Sequence, residues 1–126
     1  MKTALAWIVG ANAALFLFGA VQHIGVALGP FREPRIMPAA VVEAACGVVL
    51  TFALAALFRH SVRARKWIAI SNVIALVGVL IGLIALAIGA GPRTASNDIY
   101  HRLMLVLIVS AFTLLYVSRA RTRTPA

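Results

Sequence analysis

Acidic residues are nearly absent from this chain. Its 126 residues include three Asp and Glu against twelve Lys and Arg, which gives a formal net charge of +9. Charged residues make up only 12% of the sequence and hydrophobic residues 63%. A water-soluble domain could not bury that much apolar surface, so the composition indicates a chain that folds in lipid. Nucleic-acid binding is disfavoured, because basic residues that flank membrane spans and meet anionic headgroups explain the positive charge.

Cysteine and proline are also scarce. Cys46 is the only cysteine, which excludes a disulfide within the chain, a CxxC redox pair and a zinc knuckle. The five prolines lie outside the middle of every apolar run, as prolines between helices do. Pro38 suits the first turn of a helix, where its missing N–H has no consequence. The scarcity of proline therefore leaves long stretches free to form uninterrupted helices.

What the chain has in abundance is long apolar runs. Four of them cover about residues 4–28, 38–58, 67–90 and 99–118. Each has about 20 or more residues, the length that a helix needs to cross a hydrocarbon core of roughly 30 Å. The first run is too long for the apolar region of a signal peptide, so we interpret it as an uncleaved span. The sequence predicts one all-α domain over residues 1–126, an integral membrane four-helix bundle.

The distribution of basic residues predicts the orientation of these spans. Eight of the twelve Lys and Arg lie at the two chain ends and in the second connection. The positive-inside rule places those regions, and so both termini, in the cytoplasm of a bacterial-type inner membrane. Because every connection is short, consecutive helices are expected to be antiparallel neighbours in an up-down bundle.

Small residues at four-residue spacing are candidates for close helix–helix contacts. In membranes such pairs let two backbones approach each other. The sequence offers three pairs: Gly25 with Gly29, Gly78 with Gly82, and Ala40 with Ala44.

Polar side chains inside the spans are the best pointers to function, because lipid makes them costly to retain. Glu43 lies about five residues inside the second span, His23 about five inside the first, and His101 two or three inside the fourth. At 1.5 Å per residue, the three lie within about 5 Å of one level in an up-down bundle. We predict that Glu43, His23 and His101 meet in the outer half of the membrane as an acid, base or ligand-binding site.

Five further polar residues are predicted to bind a ligand at this site: Gln22, Cys46, Asn97, Asp98 and Arg102. Several of them have a structural alternative. Asp98 suits the positive end of a helix dipole, and Arg102 could pair with it. Cys46 could be a buried apolar thiol. The histidines could reach lipid headgroups, and Glu43 could bond one histidine simply to hold two helices together.

Several chemistries could use this set of residues. Two histidines and a carboxylate could hold zinc or non-haem iron, and paired histidines could hold haem b. No HxxxH or HExxH spacing supports a metal, so none is predicted and the cofactor stays open. We favour binding of a lipophilic small molecule, quinone-like or isoprenoid-like, by a redox-accessory or binding protein. The alternatives are an isomerase or cyclase with Glu43 and His23 as acid and base, and an anchoring subunit held by a protein partner or by its own copies.

Two stretches carry a resemblance to a known family. They are GAVQHIGVALG at the end of the first span and VVEAACGVVL in the second. They resemble the DoxX-like small membrane proteins, which often have a Gly-rich end to the first helix and a Glu followed by Gly and Leu in the second. The matching positions are Gly19, Gly25, Glu43, Gly47 and Leu50. The resemblance covers the first half of the chain and implies a four-helix bundle with an accessory role in membrane redox or quinone metabolism.

Small multidrug-resistance transporters offer a second comparison, since they also have four spans and one buried Glu. Their Glu lies in the first helix, whereas the first span here contains no acid. The sequence therefore favours the DoxX-like resemblance over a transporter of that kind.

Overall fold

The computed structural model describes residues 2–27, 34–91 and 94–121. Within those ranges it contains four helices, α1 (Lys2–His23), α2 (Met37–Phe58), α3 (Ala64–Ala87) and α4 (Ala95–Arg121). All four are long and apolar enough to cross a membrane. The prediction of an all-α chain with four helices of membrane-spanning length is thus confirmed.

The four helices close into a ring in which α1 packs on α2 and α4, and α3 also packs on α2 and α4. Neighbours run antiparallel. Leu54, near the end of α2, meets Gly10 near the start of α1, and Tyr100, near the start of α4, reaches Leu15 in the second half of α1. One end of the bundle therefore holds His23 and Glu43, and we call it the Glu43 end. The other, which we call the Lys2 end, brings the start of α1, the α2–α3 connection and the end of α4 together.

The core of the bundle is apolar and tightly closed. Its largest side chains have less than 2% of their surface exposed: Phe16, Leu50, Ile68, Met104, Ile108, Val9 and Val79. Two amide side chains are equally buried, those of Asn12 and Asn72. The Asn72 side chain donates a hydrogen bond to the Ile68 carbonyl at 2.8 Å. Because all four helices contribute to this core, it fixes the rotation of each one. That rotation decides which polar residues face the interior.

Three helices end in the same turn. The turn residues are Gly25 after α1, His60 after α2 and Gly89 after α3, with φ of 98°, 52° and 76°. In each turn this residue's N–H donates to the carbonyl three residues back, and the next N–H donates to the carbonyl five residues back. This Schellman pattern satisfies the last carbonyls of a helix and favours glycine. Gly25 thus ends α1 at His23, five residues before the end of the predicted 4–28 span.

His60 is the only non-glycine residue with a positive φ among those that the structure describes. The left-handed conformation costs an L-residue about 1–2 kcal/mol. We therefore expect the His60→Gly chain to be more stable than the His60→Ala chain by about 1 kcal/mol. Both substitutions remove the imidazole, so the difference between their thermal unfolding midpoints in detergent isolates the backbone effect. Equal midpoints would show that the turn carries no strain.

Candidate functional site

A cavity of about 280 Å³ lies at the Glu43 end of the bundle. Its four polar side chains come from three helices: His23 from the end of α1, Glu43 from α2, and Asn97 and His101 from α4. The structure therefore brings together the three ionisable residues that the sequence placed at one level. Asn97, one of the five predicted ligand-binding residues, joins them.

The cavity is asymmetric in polarity. Its apolar lining comes mainly from α2 and α3 and includes Pro38, Val42, Ile81 and Ala85. Three lining residues are exposed: Pro38 at the start of α2, Ile81 on α3 and Ala90 just after α3. The cavity is therefore open on the α2–α3 side of the bundle. The polar side chains are all buried, with at most 7% exposed. A molecule that enters between α2 and α3 would meet apolar walls first and polar groups last.

Glu43 and His23 form the closest pair of ionisable groups in the cavity. Glu43 Oε1 lies 3.8 Å from His23 Nε2, within reach of an ion pair but too far for a hydrogen bond. His23 Nδ1 lies 3.5 Å from the Pro34 carbonyl. A carbonyl only accepts, so we infer that Nδ1 carries the ring's first proton and that Nε2 faces the carboxyl. The pair therefore places a ring nitrogen that can accept a proton next to a carboxyl.

His101 is oriented in the same way as His23. Its Nδ1 lies 2.9 Å from the Asn97 carbonyl one turn earlier on α4, so Nδ1–H donates and Nε2 points away from that carbonyl. The Nε2 edge of the ring lies directly against Gly82 of α3. A Cβ at position 82 would overlap Nε2 and come within 2.6 Å of Cδ2. Gly82 therefore allows the imidazole to fit between α4 and α3.

Tyr100 is a neighbour of the site that the sequence analysis did not include. Its hydroxyl donates to the Leu15 carbonyl of α1 at 2.9 Å. The same hydroxyl and Glu43 Oε2 both lie against Gly19, where a Cβ would come within 2.6 Å of Oε2. Gly19 thus lets three helices meet at one point. No local pattern signals this contact, because it depends on the register between α1 and α4, which are far apart in sequence.

Four of the predicted ligand-binding residues do not line the cavity. Asp98 and Arg102 form an ion pair at 2.9 Å on the surface of α4, with side chains 47% and 73% exposed. Cys46 is a buried free thiol whose Sγ packs against Gly78 and lies 3.8 Å from the Ile74 carbonyl. Gln22 is buried next to His23 in sequence, outside the cavity lining. For the first three, the structure matches the alternatives that the sequence offered.

The cavity's histidines and carboxylate are the residues that a metal would need. Across residues 2–27, 34–91 and 94–121, no three His, Cys, Asp or Glu side chains are grouped so that they could hold a metal ion. A carboxyl and two imidazoles that face one space are suited to hydrogen bonding and proton exchange with a polar group.

Comparison with known proteins adds no assignment. No family model matches the chain, and no curated protein or solved structure matches it. The resemblance to the DoxX-like proteins therefore stays a prediction, and the function has to be inferred from the geometry of the cavity.

Proposed function

We propose that this chain is a multi-pass inner-membrane protein whose Glu43-end cavity binds the polar head of a lipophilic small molecule. The observation that supports it is a cavity with apolar walls and four buried polar side chains at its back. Ionisable groups inside membrane helices are costly and mostly serve a function. Here they are also gathered from three helices around an open space. The role that fits best is a binding or redox-accessory protein.

The proposed orientation places the Lys2 end in the cytoplasm. Lys2, Arg59, Arg63, Arg65, Lys66 and Arg119 belong to the helix ends and the connection at that end. Basic residues next to membrane spans favour the cytoplasmic side. The Glu43 cavity then lies in the outer half of the bilayer, with its opening between α2 and α3 facing lipid.

The size and polarity of the cavity define the class of ligand. A cavity of about 150 Å³ can hold benzene, so 280 Å³ is room for one substituted ring or the first units of a branched chain. The remaining tail would lie along α2 and α3. A head with carbonyl or hydroxyl oxygens matches a carboxyl and two imidazoles, because a hydroxyl can donate to a histidine Nε2 and a carbonyl can accept from a protonated carboxyl. Quinone-like and isoprenoid-like molecules meet both requirements, and the DoxX-like resemblance supports a quinone.

Filling the cavity tests this proposal. Ala85 lines the cavity, and we expect Ala85→Phe to lower the amount of co-purified lipophilic molecule by at least about tenfold, because the ring takes the ligand's space. The measurement is organic extraction and mass spectrometry of protein purified in mild detergent. Ala87→Phe is the matched control, since Ala87 is exposed and does not line this cavity. If Ala85→Phe co-purifies with the same molecule at the same stoichiometry as the wild type, the cavity is not the binding site.

The Glu43–His23 pair also favours a second candidate, an isomerase or cyclase. An acid and a base 3.8 Å apart could remove a proton from one carbon of an isoprenoid substrate and return it to another, with no other reactant. Product formation by the purified chain, lost in His23→Gln, would identify this activity. A stoichiometric protein partner with no small molecule in the extract would instead indicate an anchoring subunit.

A further inference from the structure

A second and larger groove lies at the Lys2 end, between α1 and α2, with a volume of about 630 Å³. On the α1 side its lining includes four small residues, Ala6, Gly10, Ala11 and Ala14, and on the α2 side Leu54, Leu57 and Phe58. The small side chains leave open space along this face of α1. Trp7 and Phe58 line it and are 76% and 65% exposed, as aromatic residues at a membrane–water boundary are.

Basic groups stand at one end of this groove. Lys2 and His60 line it. The same two residues line an adjoining hollow of about 200 Å³, together with Arg65, Ser61 and Ser118. Residues 1–32, 44–97 and 99–126 contain no Asp or Glu, so these basic groups have no acidic side chain among their sequence neighbours. The hollow is therefore suited to an anion, and a phosphate could accept hydrogen bonds from the basic groups and from the Ser61 hydroxyl.

The length of the groove matches an acyl chain. On α1 it extends from Lys2 to Ala14, roughly 18 Å at 1.5 Å per residue, which is close to half of a hydrocarbon core of roughly 30 Å. A second copy of the chain fits less well. A symmetric contact through this face would bring two copies of Lys2 together, and like charges would oppose it.

We propose that this face binds an anionic phospholipid, with one acyl chain in the α1–α2 groove and its phosphate between Lys2, His60 and Arg65. The site is distinct from the Glu43 cavity, and it holds a lipid of the surrounding leaflet. It is specific because two requirements act together: an anionic headgroup for the hollow and an open groove for the chain. A basic surface without the groove would attract anionic lipids without retaining one.

The test is native mass spectrometry of the full chain released from bilayers of equal parts phosphatidylglycerol and phosphatidylcholine. We expect retained phosphatidylglycerol to exceed phosphatidylcholine for the wild type. Lys2→Gln with His60→Asn should lower the excess by at least about fivefold, which is the effect of one lysine next to an anionic headgroup. Asn is chosen at position 60 because it tolerates the left-handed backbone. Ala11→Phe, which fills the groove and leaves every charge in place, should lower retention as well.

Lys66→Gln is the matched control, because Lys66 is exposed near the same end and lines neither the groove nor the adjoining hollow. An equal loss in Lys66→Gln would reduce the effect to general surface charge and overturn the site. Full lipid retention in Ala11→Phe would show that the groove does not hold the acyl chain, and it would also overturn the proposal. Circular dichroism and size-exclusion profiles that match the wild type confirm that each variant is folded before its lipids are compared.

Discussion

Replacement of Glu43 by Gln is expected to weaken ligand binding by about ten- to a hundredfold. Gln has nearly the same shape, but it can neither carry charge nor exchange a proton with His23. Loss of one partner of a buried hydrogen bond costs about 1–3 kcal/mol, and most of that range corresponds to that loss of affinity. The measurement is a titration with a short-chain benzoquinone in detergent micelles, with thermal unfolding followed in parallel. The unfolding midpoint should stay close to that of the wild type.

Asp98→Asn is the matched control for this experiment. Like Glu43→Gln, it replaces a carboxyl by an amide at the same end of the bundle. The ion pair of Asp98 is exposed, and Asp98 does not line the cavity. Binding should therefore stay within about twofold of the wild type, as for most surface substitutions. If both variants lose the same affinity, the effect comes from the overall charge at this end of the bundle and not from a contact in the cavity. Unchanged binding in Glu43→Gln would remove Glu43 from the site.

Gly19→Ala is the substitution expected to damage the fold most. The added methyl group would overlap the Tyr100 hydroxyl and come within 2.6 Å of Glu43 Oε2. The hydroxyl is held by its bond to the Leu15 carbonyl, so the overlap is relieved only by moving α4 or breaking that bond. Overpacking of this kind costs about 1–3 kcal/mol. Thermal unfolding in detergent should therefore show a clearly lower midpoint.

Gly10→Ala provides the matched control on the same helix. A Cβ at position 10 would lie 3.5 Å from Leu54 Cδ2, an ordinary contact. Because Ala is the better helix former by about 1 kcal/mol, this variant should be as stable as the wild type or more so. Adding Tyr100→Phe to Gly19→Ala should restore part of the loss, since the clashing oxygen is gone. Equal midpoints for the two single glycine variants would show that Gly19 has no special role.

The helices were predictable because lipid leaves a long apolar segment few alternatives to a helix. The depths were predicted less well, because α1 ends at His23 itself and His101 lies six residues into α4, not two or three. His23, Glu43 and His101 nevertheless line one cavity. The close approach at Gly78 and Gly82 is confirmed, as Cys46 and His101 pack against them. Gly25 was wrongly read as a packing residue. It ends α1 in a left-handed turn, and Gly29, its expected partner, lies outside the described residues.

The rotation of the helices was not predictable, and it decides which residues belong to the site. Asn97 and Asp98 are adjacent in sequence, yet only Asn97 lines the cavity. In a soluble bundle an apolar stripe would reveal the inward face, but a helix that is apolar all round carries no such mark. The inward faces are set by core contacts of residues such as Met104 and Ile108. The roles of Gly19 and Tyr100 depend on those same contacts.

The opening between α2 and α3 changes what an affinity measurement on this chain would mean. With the helices inserted in a membrane as we propose, a molecule that enters there arrives dissolved in the bilayer. Its effective concentration is then its mole fraction among lipids and not its molarity in buffer. Dilution with buffer should leave occupancy of the Glu43 cavity nearly constant, whereas dilution with empty lipid should lower it. Apparent dissociation constants would therefore scale with the amount of lipid or detergent in the sample.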